Sequence, residues 1–437
     1  MNDYKLSEVA QNEMKEFALY TIESRAIPNV IDGLKPVQRF YLYSSIQNTP
    51  KDYKKVSAVS GVVSDYGYNH GETSAAGAGQ LMAATWNNNI CLVEGRGSFG
   101  TRLIQEAGAA RYVYTRLHSN FGKYIKDRDL SPTHPDPEHA PPSFYIPTIP
   151  LVLANGTKGI ATGFATNILP RSEASLIKAC KEYTTKGKIT SRLPVAFPDF
   201  KGTTEYDSVE DRFVCRGVFE RPSQTRIIIT EVPYGYDREG YVKVLDKLED
   251  DGHLVSYDDE CSSDGFRFDV KLRNTVAKQL KTDDKVIKLF KLEKTHSENL
   301  TTIDEQGRLK IFTDERDLVA HFCDYRLGIL SQRISKQIEI HTEEARWLKV
   351  KAEFIQAVLE DQIVFKGKNK DQVGKLVLQF TSASDEDVDR LLRLNIITLT
   401  MEQIKDLMGK IKEAKDQLDF WNNTTPKEQF VSDLKDL

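Results

Sequence analysis

The chain has 437 residues, 40% hydrophobic and 28% charged, a composition that excludes a disordered chain and allows two to four domains at roughly 100–200 residues each. A net charge of −4, from 60 basic and 64 acidic residues, excludes a protein that coats nucleic acid by bulk charge. No apolar run approaches the ~18 residues of a membrane span, the first 30 residues lack the basic and apolar regions of a secretory signal, and five scattered cysteines without a C-x-x-C pair fit a reducing cytoplasm.

The charge is uneven. Residues 1–135 carry 15 basic and 13 acidic side chains, and the remaining 302 residues carry 45 and 51. The N-terminal third is therefore the better place for a polyanion. In chain order, apolar residues at helical spacing (Val9, Met14, Phe17, Ala18, Ile22) predict a helix over 6–24. Three short helices are predicted near 36–47, 55–64 and 72–86, followed by the apolar strand Ile90–Glu94 and a glycine-rich loop. That order is the order of a helix-turn-helix with a wing. Residues 132–150 hold seven of the sixteen prolines and predict an extended segment crossing between two bodies. Beyond it, strands at 224–233 and 265–273 and a helix at 240–252 predict a mixed α/β domain over 151–315. From about 316 the pattern is helical. Leu327, Leu330 and Ile334 step by three and four, and after a polar break at Gln337 and His341 the spacing resumes through Leu359. A second seam runs from Ile404 to Trp421, with another helix, Asp387–Leu394, between the two. Two heptad seams around a small middle block predict an antiparallel coiled coil carrying a knob; an ordinary helical domain is the alternative.

Several motifs fail on their own terms. Residues 95–100, GRGSFG, match G-x-G-x-x-G but lack the acidic residue about 20 positions on that a dinucleotide site needs, and the chain contains no P-loop. They read as a tight β-turn. Asp127-Arg128-Asp129 reads as a solvated turn, Asp258, Asp259, Glu260 and Asp264 as a polar loop, and His134 with His139 as a weak metal candidate.

Three segments stand apart: Ser24–Arg39 with its Arg25, Lys35 and Arg39; Tyr68-Asn69-His70-Gly71-Glu72-Thr73; and Phe99–Leu103 followed by Ala109–Leu117. Together they resemble the DNA breakage–reunion subunit of the type IIA topoisomerases, the gyrase-A and topoisomerase-IV-A class. The spellings F-G-T-R-L and A-x-R-Y-x-x-T-R lean toward the eukaryotic branch. The resemblance continues through Tyr145–Pro147, Leu153, Asn155-Gly156 and Gly159–Gly163, through Ile228–Pro233 with Asp264-Gly265, and into the heptad pair with Leu399-Thr400. The compact length is most similar to the T-even-phage branch.

The resemblance implies an α+β multidomain fold: a winged-helix DNA-cleavage domain over 1–135, an α/β tower domain over 136–315, and a long antiparallel coiled coil with a small helical exit-gate domain over 316–437. It implies Tyr112 as nucleophile, with Tyr114 its neighbour in spacing. A phenol with a pKa of about 10 is a poor nucleophile until its proton is removed and the phosphate charge is offset. Arg111 beside it can supply a guanidinium to the phosphate. Arg25 and Lys35 match positions that grip the scissile phosphate, and His70 the histidine that stabilises the transition state. Arg39, Thr73 and Arg102 match positions at the DNA, and Ile160 the isoleucine that wedges between base pairs. Relatives often carry a second histidine just before the matched one; Tyr68 and Asn69 stand there.

The expected function is that of the DNA-cleaving and rejoining subunit of an ATP-dependent type II topoisomerase, working on double-stranded DNA as a homodimer and relaxing or decatenating it rather than supercoiling it. No metal site is assigned to this chain. Mg²⁺ and ATP are expected mainly on a partner, the topoisomerase large subunit with its ATPase and acidic metal centre, which the helix over 6–24 is the first candidate to dock. The expected setting is cytoplasmic, the host cytoplasm if phage-encoded. The competing reading is a non-catalytic DNA-binding protein on the same scaffold, against which the Arg111-Tyr112 pair argues.

Overall fold

The computed structural model describes residues 13–395 and 400–437. The helix expected over 6–24 is described from Glu13, as helix Glu13–Thr21 running into a π-helical turn, Ile22–Ala26; Val9 and, near the other end, Leu399 lie outside the described residues.

Pro36 starts the next helix, Pro36–Asn48. Its missing N–H is one the first helical turn would leave unpaired anyway, and its φ suits a helix. The Gln38 side chain accepts from the Lys35 backbone N–H at 2.9 Å and closes that end. Helices Val56–Gly61 and Glu72–Ala83 pack on this one. The second of the predicted helices is thus shorter than expected, breaking into a 3₁₀ turn over Val63–Tyr66. At the crossing of Pro36–Asn48 and Glu72–Ala83, a Cβ on Gly79 would lie 2.1 Å from the Tyr41 ring, so only glycine permits this approach. Phe40, Val63, Tyr68 and Ala75 form the small core beside it.

A three-stranded antiparallel sheet closes this part, with Tyr114–Leu117 in the centre, Val93–Arg96 on one side and Lys54–Lys55 on the other. The Tyr41 and Thr115 hydroxyls share a buried hydrogen bond at 2.6 Å that pins helix to sheet. The GRGSFG segment ends the strand and turns, with Gly97 and Gly100 at φ of 114° and 82°, as a tight turn requires.

The proline-rich segment carries core residues of its own. Phe144, Tyr145, Ile146 and Ile149 are buried, and Leu151–Asn155 continues as a buried helix. Apolar residues between the prolines give the segment a core face that proline count alone conceals. Asp127 is likewise buried rather than solvated, paired with the buried Arg326. A hairpin follows, Thr157–Ile160 with Ala165–Ile168. A four-stranded antiparallel sheet then runs in the order Leu254–Asp259, Phe268–Leu272, Arg226–Glu231, Val218–Ser223. Helix Arg238–Asp250 covers it through Tyr241, Leu245 and Leu248, a three-and-four spacing on one face. A three-stranded sheet (Glu293–His296, Arg212–Arg216, Thr203–Asp207) and the hairpin Leu300–Ile303 with Leu309–Phe312 complete the strands among the described residues.

Helix Glu315–Leu359 runs 45 residues without a break at Gln337 or His341. Polar residues in mid-helix remove a packing partner and leave the backbone ladder intact. The chain divides into two compact units, one ending at Arg326 and rejoined by Val431–Leu437, the other Leu327–Phe430. In the second, Val350, Phe354 and Ile355 meet Val373, Val377, Leu391 and Leu407, the last from the returning helix Met401–Asn423. In the first, Asp433 accepts from Lys126 and Arg326, both at 3.0 Å, and so holds the C-terminal residues.

Candidate functional site

Tyr112 stands in a tight turn just before the central strand Tyr114–Leu117, where its N–H donates to Ala109 O at 2.8 Å. Its side chain is 68% exposed. Neighbouring backbone holds the turn from both sides: Val56 N–H donates to Val113 O at 3.0 Å, Ser57 N–H to Ala110 O at 3.1 Å, and the Gln80 amide to Gly108 O at 2.6 Å. The Arg111 guanidinium lies 4.7 Å over the Tyr112 ring. Arginine and phenol are thus presented to solvent as one unit on a rigid base. Tyr114, two residues on, is half as exposed at 36% and belongs to the strand.

Arg25 and Lys35 meet elsewhere in the same unit. Together with Ala26, Lys158, Gly159 and Ile160 they line an open cavity of about 730 Å³. Arg25 projects from the π-helical turn, a device that re-aims side chains. The Lys35 ammonium donates to Lys158 O at 2.7 Å, and burial holds it below the ordinary lysine range. Gly159 makes the contact possible, since a Cβ there would stand 2.1 Å from Ala26 O. Beside it Ile160 ends its strand 81% exposed, an unusual position for an isoleucine.

His70 precedes Gly71, the N-cap of helix Glu72–Ala83, and Thr73 is exposed in that helix's first turn. The His70 Nε2 and the Tyr20 hydroxyl share a hydrogen bond, and the Tyr68 ring meets the imidazole edge-on at 5.5 Å between centroids.

A family model describing the A-type subunit of DNA gyrase/topoisomerase IV matches residues 25–436. The chain belongs to that family. It is 38% identical to the DNA topoisomerase medium subunit of Enterobacteria phage T4, over all of this chain and 99% of that protein. It is 27% identical to DNA topoisomerase 2 of Plasmodium falciparum, over 99% of this chain, and spans only 34% of that longer protein. Its mixed α/β structure is similar to the crystal structure of the P. falciparum topoisomerase II DNA-binding, cleavage and re-ligation domain, with a TM-score of 0.86 at 26% identity, covering 98% of this chain and 63% of that one.

Two cations expected at the DNA are placed otherwise in this member of the gyrase-A/topoisomerase-IV-A family. Arg39 is only 9% exposed, and its Nε donates to the fully buried Asp32 at 2.7 Å while Nη2 donates to Leu34 O at 2.6 Å. Asp32 also accepts from the backbone of Leu34 and Tyr145, so Arg39 braces the turn that carries Lys35. Arg102 is buried against Glu231 at 2.9 Å and sits over the Tyr234 ring at 4.8 Å, tying the loop before Tyr112 to the four-stranded sheet. Both are consumed by a carboxylate far away in sequence or hidden in a turn, which a motif cannot reveal.

Sequence reasoning missed Tyr20. The only available signal was its place in the helix leading to Arg25, and nothing in that spacing aims it at His70.

Proposed function

We propose that the chain is the DNA-cleaving and rejoining subunit of a type II DNA topoisomerase. The observation that carries this reading is an exposed tyrosine under its own arginine, on a rigid turn, in a chain whose residues 25–436 match the gyrase-A/topoisomerase-IV-A family. The Tyr112 oxygen attacks a backbone phosphorus, the P–O3′ bond breaks, and the proton lost by the phenol is balanced by the 3′-hydroxyl that leaves. The product is a 5′-phosphotyrosyl link that retains the phosphodiester's energy, so the 3′-hydroxyl reseals the strand by the reverse step. Arg111 offsets charge on the phosphate, and His70 hydrogen-bonds it in the transition state. Arg25 and Lys35 clamp the phosphate from their shared cavity, with Lys35 partly desolvated and so stronger as a partner for an anion. Ile160, exposed beside them, wedges between base pairs and bends the duplex, and Thr73 meets the DNA at the helix start.

Two copies related by a two-fold axis would give one tyrosine per strand and a staggered double-strand break. In this reading residues 1–135 form the winged-helix cleavage domain, 136–315 the tower, and 316–437 the coiled coil with the dimerising exit gate. The cavity that holds Arg25 and Lys35 is lined by cationic or neutral side chains, the wrong donor set for Mg²⁺. No step on this chain is therefore routed through a metal. Mg²⁺ and ATP belong mainly to a large partner subunit carrying the ATPase, and the setting is the cytoplasm, the host's if the chain is phage-encoded. The test is reconstitution with that subunit: with ATP and Mg²⁺ the complex should unlink catenated circular DNA. DNA binding without unlinking would favour the non-catalytic reading.

A further inference from the structure

The hydrogen bond between Tyr20 and His70 has a chemical consequence. An imidazole has two nitrogens, and the hydrogen bond made by one sets the role of the other. Here Nε2 is engaged by the Tyr20 hydroxyl. Nδ1 makes no hydrogen bond to any of the described residues. The ring itself is held by two aromatic neighbours from different elements: Tyr20, from helix Glu13–Thr21, at 5.8 Å and Tyr68 at 5.5 Å, edge-on. Tyr68 is itself fixed, 6% exposed, packed on Phe40 at 5.3 Å and donating to the Ser74 hydroxyl at 3.1 Å. His70 and Tyr20 both line an open cavity of about 920 Å³, so the imidazole is held at a mouth and not sealed in the core.

We infer that Tyr20 is a positioning residue that holds His70 by Nε2 and leaves Nδ1 as the nitrogen that meets the DNA phosphate. The inference rests on the reading of His70 given above and adds which nitrogen acts and what aims it. When the imidazole is protonated, Nε2–H donates to the Tyr20 oxygen and Nδ1–H is free to donate to a phosphate oxygen. When it is neutral, the phenol can donate to Nε2, which keeps the proton on Nδ1. In either state the same nitrogen faces the anion with a hydrogen. The helix bearing Tyr20 also leads directly into the turn bearing Arg25, so one short segment sets both groups.

The test uses the complex with its large partner subunit, Mg²⁺ and labelled duplex DNA, reading the rate of protein-linked DNA formation and, separately, duplex affinity. His70→Ala should slow linkage about a hundredfold, within the range of a lost acid–base or charge-stabilising group. Tyr20→Phe should slow it about tenfold at unchanged affinity, as loss of one hydrogen bond predicts, and should cause no further loss in the His70→Ala background. Asparagine places an amide nitrogen near the position of Nδ1, and glutamine near that of Nε2. His70→Asn should therefore retain more activity than His70→Gln. If His70→Ala is as fast as the parent, the reading of His70 fails and this inference with it. If His70→Ala is slow, two results overturn the inference alone: a Tyr20→Phe effect that is absent or persists undiminished without His70, and His70→Gln matching or exceeding His70→Asn.

Discussion

Replacing Arg39 by methionine separates a brace from a DNA contact. The change keeps the length of the side chain and removes its charge. Asp32 is fully buried, so it would be left with two backbone donors, Leu34 N–H at 2.9 Å and Tyr145 N–H at 3.0 Å, and no countercharge. Removing one partner of a buried ion pair costs about 3–5 kcal/mol. The two surviving hydrogen bonds place this case near the lower end, and the lost donor to Leu34 O adds about 1 kcal/mol. The expected destabilisation is thus about 3–4 kcal/mol, seen as a lower midpoint of urea unfolding. The double variant Arg39→Met with Asp32→Asn should recover part of it, because the stranded charge is gone. DNA binding by the folded fraction should keep its dependence on salt, whereas Lys35→Gln should reduce the slope of log affinity against log salt by about one contact's worth. An Arg39→Met protein with an unchanged unfolding midpoint and a reduced salt slope would refute the reasoning.

Three further outcomes follow from the same geometry. Gly159→Ala puts a methyl 2.1 Å from Ala26 O, so the hairpin must lift off the Arg25 turn; DNA cleavage should be lost while the far-ultraviolet circular dichroism spectrum is kept. Ile160→Ala removes a side chain 81% exposed, so unfolding should shift by no more than about 0.5 kcal/mol while the bend in bound DNA, measured by fluorescence energy transfer between its ends, decreases. Arg346 holds the Asp387 carboxyl well below the usual carboxylate range, so the unfolded chain takes up that proton first. Its stabilising effect is complete above about pH 4 and fades as pH falls further, toward the folded-state value. Asp387→Asn should flatten that part of the acid-unfolding curve.

The helices before the tyrosine, the strands near 226 and 268 and the two long helices were legible because each carries a period or a bounded apolar run that depends only on nearby residues. The cysteine and charge arithmetic, being global, located no site. What stayed hidden depends on contacts distant in sequence. Seven prolines disguised a segment whose Tyr145 and Ile146 are core. Polar Gln337 and His341 interrupt the apolar spacing, yet the helix runs through them, as the two-long-helix reading expects. Arg39 and Arg102 share motifs with Lys35 and Thr101, yet burial and a carboxylate partner decide their role. At the site, the motif indicated Tyr112 with Arg111 and the cationic pair Arg25 and Lys35. Tyr20 became visible only through the fold, since 50 residues separate it from His70.

The most direct measurement of the central claim is covalent trapping. A cleavage reaction with the large partner subunit, Mg²⁺ and 5′-labelled and 3′-labelled duplexes is stopped with denaturant, and protein-linked DNA is counted. The parent chain should become linked to the 5′-phosphate end, so that 3′-labelled DNA is carried by protein and the 5′-labelled fragment is released, and Tyr112→Phe should bind the duplex with unchanged affinity and yield no link. A Tyr112→Phe chain that still becomes linked would contradict the assignment and move it to Tyr114.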